Sequence, residues 1–87
     1  MKPRKIRLFV RPMCGWCHEA EEWLKQNGIP FETLDIAADS GAREEMQRLS
    51  GQGYVPVLDV DGHVLADFDT EQLARFWQQI QQESEND

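Results

Sequence analysis

Cysteine is scarce in this 87-residue chain: there are two, Cys14 and Cys17, separated by two residues. Two thiols cannot build a framework of structural disulfides, and a single close pair in a reducing compartment reads as catalytic or metal-binding. Long apolar runs are absent too, so no segment is expected to span a membrane. The start, Met1-Lys2-Pro3-Arg4-Lys5, is basic, but no apolar signal region with a small-residue cleavage site follows it, so a cytoplasmic protein is expected. Positive charge is scarce after the start: residues 1–11 hold five Lys and Arg and no acid, the remainder holds four basic and sixteen acidic residues, and the net charge is −7. Bulk acidity argues against a nucleic-acid partner. Internal repeats and linkers are missing, and the length suits one domain over 1–87 with a modest core. A hydrophobic content of 40% with periodic patterning excludes a disordered chain.

The patterning alternates between strand and helix. Ile6, Leu8 and Val10 alternate with Arg7, Phe9 and Arg11, which predicts a strand that Pro12 ends. Residues 15–27 predict a helix with Cys17, Ala20 and Leu24 on one stripe, stopped by Asn27-Gly28. Phe31 to Ile36 predicts a second strand, and the βαβ order makes the pair parallel. Asp39 or Ser40 caps a second helix whose Ala42, Met46 and Leu49 share a face, and Gly51-Gln52-Gly53 breaks it. Val57–Val60 and His63–Ala66 flank Asp61-Gly62, a signal for a two-residue hairpin. Asp69 with Gln72 forms a capping box for a last helix carrying Leu73, Phe76, Trp77 and Ile80 at core spacing. The ordered core is expected over about 5–80, with 81–87 a polar, frayed tail. The expected fold class is therefore α/β: a four-stranded mixed sheet flanked by three helices, in the order β-α-β-α-β-β-α.

Arg11-Pro12-Met13-Cys14-Gly15-Trp16-Cys17-His18 is the candidate site. Cys14 falls just ahead of a helix N-terminus, where unpaired N–H groups and the helix dipole favour a thiolate. Cys17 falls about one turn inside, close enough to close a disulfide onto Cys14. This is the logic of a thiol–disulfide oxidoreductase with Cys14 as attacker and Cys17 as resolver. Cys14-x-x-Cys17-His18 also matches a haem-attachment pattern, but four strands and no signal region oppose it. Zinc would need a second knuckle, and His18 and His63 are the only histidines. No metal is assigned. Arg11 sits where it can steer an anionic ligand to Cys14, whereas Arg7 is equally well read as a solvated strand-face charge. Trp16 is read as an exposed rim, and Trp23, Phe76 and Trp77 as core. Tyr54-Val55-Pro56 precedes the third strand, and a cis Pro56 would leave the Val55 backbone free to pair with an extended substrate.

On these residues the chain resembles a glutaredoxin of the thioredoxin superfamily, from about residue 5 to 80. The shared features are Cys-x-x-Cys after the first strand, Arg11 three residues before Cys14, the Val55-Pro56 pair, and Phe68-Asp69 before the last helix. The resemblance implies a thioredoxin-like fold and a cis Pro56. It also implies a glutathione site formed by Arg11, Trp16, Tyr54, Val55, Pro56, Phe68 and Asp69, with glutathione as co-substrate, disulfide-containing proteins as partners and a monomeric state. Recharging by a thioredoxin-reductase-type flavoprotein is one alternative. A glutathione-dependent [2Fe–2S] carrier, with the cluster held between two copies, is the other. The chain departs from the usual pattern at Gly15-Trp16, where Pro-Tyr is common, at Arg11 for lysine, at Tyr54 for threonine, and at Ala66-Asp67 for a Gly-Gly pair. Asp67 sets an acid near the glutathione carboxylate and is expected to weaken its binding.

Overall fold

A computed structural model describes residues 5–85, with side chains through residue 82. Seven elements follow one another: β1 (Ile6–Val10), α1 (Gly15–Gln26), β2 (Glu32–Asp35), α2 (Ser40–Ser50), β3 (Val57–Val60), β4 (His63–Ala66) and α3 (Thr70–Glu85). The strands form one sheet in the order β2-β1-β3-β4. β1 and β2 are parallel, as the βαβ spacing requires, and the β1–β3 and β3–β4 pairs are antiparallel. Asp61 and Gly62 both adopt positive φ (51° and 95°), the conformation of the tight turn that joins β3 to β4.

Side-chain alternation along β1 divides the interior in two. Ile6 and Leu8 join Ala20, Leu24, Leu58, Val60, Phe68, Leu73 and Ile80, with Trp23, Phe76 and Trp77 packed against them, under α1 and α3. Phe9 and Val57 join Ala42 and Met46 under α2, with Leu49 at the margin. Arg7 points to this second face. It is neither solvated nor near the cysteines: Nη2 donates to Asp59 Oδ2 at 2.6 Å, Nε to the same oxygen at 3.1 Å, and Nη1 pairs with Glu45 at 2.9 Å. Its guanidinium also lies 5.5 Å from the Phe9 ring centroid. The alternate reading of Arg7 as a free strand-face charge is thus corrected by partners on β3 and α2 that are distant in sequence.

Local signals set the helix ends. The Asp39 carboxylate accepts from Gly41 and Ala42 N–H, so Asp39, not Ser40, caps α2. Asp69 Oδ1 accepts from Gln72 N–H at 2.8 Å while Gln72 Oε1 accepts from Asp69 N–H at 3.0 Å, the reciprocal bonds of a capping box. α3 runs past residue 80 to Glu85, because its Gln and Glu residues are good helix formers even without a core to face. Residues 86–87 of the expected tail, and Lys2 and Arg4 of the basic start, lie outside the described residues. No helix among the described residues is long and apolar enough to cross a membrane.

Candidate active site

The sheet's connections bring three stretches to one end. β1 ends at Val10 and delivers Arg11–Cys14. β3 runs against it, with Phe9 opposite Val57, so the residues before β3, Val55-Pro56, lie alongside Val10-Arg11. β4 ends opposite the start of β3, with Ala66 facing Val57, and delivers residues 67–69 to the start of α3. A bond from Asp67 N–H to Pro56 C=O (2.9 Å) ties the last two stretches together. The Val55–Pro56 peptide is cis.

Cys14 is the N-cap of α1. Its backbone is extended (φ −100°, ψ 109°), its C=O accepts from His18 N–H, and its Sγ accepts from Cys17 N–H at 3.2 Å. A sulfur in that place occupies the spot that a capping oxygen takes in other helices, at the positive end of the helix dipole. Both thiols are free; Cys14 is half-buried and Cys17 is buried at 3% exposure. Burial pushes the Cys17 thiol up to about 12, assisted by the hydrogen bond and charge of Cys14 and by the charge of Glu21, against a downward pull from the Arg11 backbone. The two sulfurs are chemically unequal, one accessible and capped by an N–H, the other closed off and holding its proton.

An open cleft of about 690 Å³ borders the pair on the β2 side, and Arg11, Cys14, Cys17, His18, Glu21 and Asp35 line it. Arg11 thus stands beside both cysteines. On the opposite side, Gln52 clamps the backbone of Tyr54: Oε1 accepts from Tyr54 N–H, and Nε2 donates to Tyr54 C=O at 3.0 Å and to Ser50 Oγ at 3.0 Å. Tyr54's own backbone is therefore committed, while no hydrogen bond among the described residues uses the N–H or C=O of Val55. Phe68 is 4% exposed and its side chain belongs to the core, not to a ligand surface. The capping box at Asp69 uses the N–H groups of Asp69 and Gln72 and leaves those of Thr70 and Glu71 open.

Sequence reasoning gave no role to two residues at this end of the sheet. Gln52 sits in a Gly-x-Gly break that reads only as a helix stop. Met13, at φ 60° and fully exposed, belongs with Trp16 (59%) and Tyr54 (70%), which are the large hydrophobics exposed among the described residues. All three lie within three residues of Cys14 or Pro56 in sequence, and only the assembled fold shows that no comparable group lies elsewhere among the described residues. The described residues contain no cluster of three or more His, Cys, Asp or Glu side chains able to hold a metal ion.

A family model described as Glutaredoxin matches residues 6–65. An uncharacterised glutaredoxin-like 8.6 kDa protein in a rubredoxin operon of Clostridium pasteurianum is 37% identical over 68 residues, covering 78% of this chain and 91% of the relative. Glutaredoxin 3 of Escherichia coli K12 is 32% identical over 56 residues, covering 64% of this chain and 68% of the relative. Among solved structures, the thioredoxin-like protein BC3987 superposes with a TM-score of 0.77 at 30% identity, over 83% of this chain and 99% of its own.

Proposed function

This chain belongs to the glutaredoxin family, with the thioredoxin-like fold and an oxidoreductase role, and from that premise we propose that it reduces glutathione mixed disulfides and protein disulfides through Cys14 and Cys17. The observation that carries the proposal is the inequality of the two sulfurs. The Cys14 sulfur is reachable and receives the Cys17 N–H, so negative charge on it is supported. It attacks one sulfur of the substrate disulfide, forms a mixed disulfide, and releases the other sulfur as thiolate. Cys17 then attacks the Cys14 sulfur, closes the Cys14–Cys17 disulfide and frees the second substrate thiolate; the dithiol has lost two electrons and the substrate has gained them. Two glutathione molecules, acting in turn, return the enzyme to the dithiol and leave as glutathione disulfide.

Glutathione fits the surroundings as an extended anionic tripeptide. Arg11 offers a cation beside the thiols, the open N–H and C=O of Val55 suit an extended backbone, and the free N–H groups at the start of α3 suit a carboxylate. Met13, Trp16 and Tyr54 provide an apolar rim for a protein substrate. A reducing compartment, the cytoplasm, keeps such a dithiol charged, and a monomer suffices for every step. The test is a pair of coupled assays, one driven by glutathione and its reductase and one by thioredoxin reductase, run on wild type, Cys14→Ser and Cys17→Ser. Cys14→Ser is expected to be inactive in both. Cys17→Ser is expected to lose protein-disulfide reduction and keep deglutathionylation, which needs one thiol. Activity in Cys14→Ser overturns the assignment, and turnover only with thioredoxin reductase replaces glutathione with a flavoprotein as the electron source.

A further inference from the structure

The resolving step asks Cys17 to lose a proton in a place that opposes the loss. Cys17 is 3% exposed, so little bulk water is at hand to collect the proton. The ionisable and charged groups that share the cleft with it are Arg11 and Cys14 from the β1–α1 connection, His18 and Glu21 from α1, and Asp35 from the end of β2. Lys25 stands one turn beyond Glu21. Arg11 has no lone pair to offer. Asp35 holds the Ala37 and Ala38 N–H groups with Oδ1 at 2.8 and 3.3 Å and comes from the end of β2, not from the helix that carries Cys17. The His18 ring belongs to an exposed residue. Glu21 is half-buried, takes no hydrogen bond or ion pair among the described residues, and follows Cys17 by four positions on α1, where side chains share a face.

From this arrangement we infer that Glu21 is the proton acceptor for Cys17 in the resolving step. The inference rests on Cys14 as attacker and Cys17 as resolver. In the mixed disulfide, Cys14 no longer carries a thiolate, so its share of the opposition to Cys17 ionisation disappears; burial and the charge of Glu21 remain. As the Cys17 sulfur approaches the Cys14 sulfur, its proton passes to the Glu21 carboxylate, directly or across one cleft water. The S–S bond to the substrate breaks, the Cys14–Cys17 bond forms, and the departing thiolate takes a proton from solvent. Glu21 gains charge neutrality as Cys17 loses it, so the cleft's net charge is unchanged at the moment of transfer. Glu21 later returns the proton to solvent.

An aryl disulfide, dithiobis(nitrobenzoate), separates the two halves under stopped flow. One thionitrobenzoate is released when Cys14 attacks and a second when Cys17 resolves, and both are read by absorbance. Glu21→Gln is expected to keep the first phase and to slow the second at pH 7 by roughly 100-fold, the low end of general-base catalysis. Its second phase should then climb by about tenfold per pH unit as hydroxide takes over, more steeply than in wild type. Glu21→Asp should retain most of the wild-type rate, and Glu19→Gln, at an exposed α1 carboxylate that does not line the cleft, should change neither phase. A second phase that is unchanged in Glu21→Gln overturns the inference and leaves the roles of the cysteines standing. A faster second phase overturns it as well, because Glu21 then only opposes the thiolate by its charge. Loss of the first phase in wild type would instead overturn the cysteine assignment itself.

Discussion

Arg7 is a residue whose removal should cost the fold heavily without touching the cysteines. Arg7→Met keeps the apolar stem and deletes the guanidinium. Two bonds to Asp59 Oδ2 and the ion pair to Glu45 are lost together. Asp59 is a buried charged residue, 4% exposed, and after the change it keeps only the Gly62 N–H on its other oxygen, Oδ1. Stripping one partner from a buried ion pair costs about 3–5 kcal/mol. The side chains here retain some exposure, 14% for Arg7 and 6% for Asp59, so a value of about 2–4 kcal/mol follows. For a domain of this size about 4–8 °C of Tm accompanies each kcal/mol, so Tm should fall by roughly 10–30 °C. Urea unfolding followed by tryptophan fluorescence gives the free energy, and an unchanged urea slope shows that the denatured state is not responsible. Adding Asp59→Asn to Arg7→Met removes the stranded charge and keeps an acceptor for Gly62, so the double variant should be the more stable of the two. A loss below about 1 kcal/mol, or a double variant no better than Arg7→Met, refutes the idea that this network bridges β1, β3 and α2.

Asp67→Gly should lower the KM for glutathione, and Arg11→Ala should raise it; the Asp67 effect should shrink with added salt, and no change in either variant would mean that glutathione does not bind between them. Asp67 already holds φ at 51°, so glycine is accommodated there without strain. Stability should fall as pH rises above about 8.5, because the unfolded thiol ionises there while folded Cys17 keeps its proton up to about 12; the contribution is complete below that window, and Cys17→Ala should flatten the slope in a pH series of urea titrations. Asp69→Ala should cost about 1 kcal/mol by breaking the α3 capping box, measurable by the same unfolding assay, and a loss near zero would mean that the cap is idle.

What the sequence disclosed were the features encoded within a few neighbours. Asp61-Gly62, the Asp69–Gln72 pair, the Asn27-Gly28 stop and the stripe of Cys17, Ala20 and Leu24 each depend on residues at most eight apart, and each is present in the structure. The parallel β1–β2 pair was legible for the same reason, since one short crossover leaves no other choice. Arg7 shows the opposite case. Its fate was decided by Asp59, 52 positions away, and period-two alternation reports only which face a side chain takes, not what waits there. Gln52 was missed because its partners are the backbone atoms of Tyr54, which carry no sequence signature. Glu21 carried no signal of its own; that it borders the thiols follows from how α1 is docked against the ends of β1 and β2.

The strand order carries a consequence for how the chain is made. β1 is synthesised first yet lies inside the sheet, flanked by β2 and β3. The interior beneath α1 is completed by Leu58, Val60, Phe68, Leu73 and Ile80, all translated late. Leu58 follows Cys17 by 41 residues, which at about 5–20 residues per second is roughly 2–8 s on the ribosome. During that interval both thiols exist on a nascent chain that has neither the core under α1 nor the Tyr54–Pro56 loop beside them. The difference between a half-buried and a buried sulfur is thus absent at birth and arises only when the C-terminal hairpin and helix arrive, so until then both thiols meet their surroundings alike.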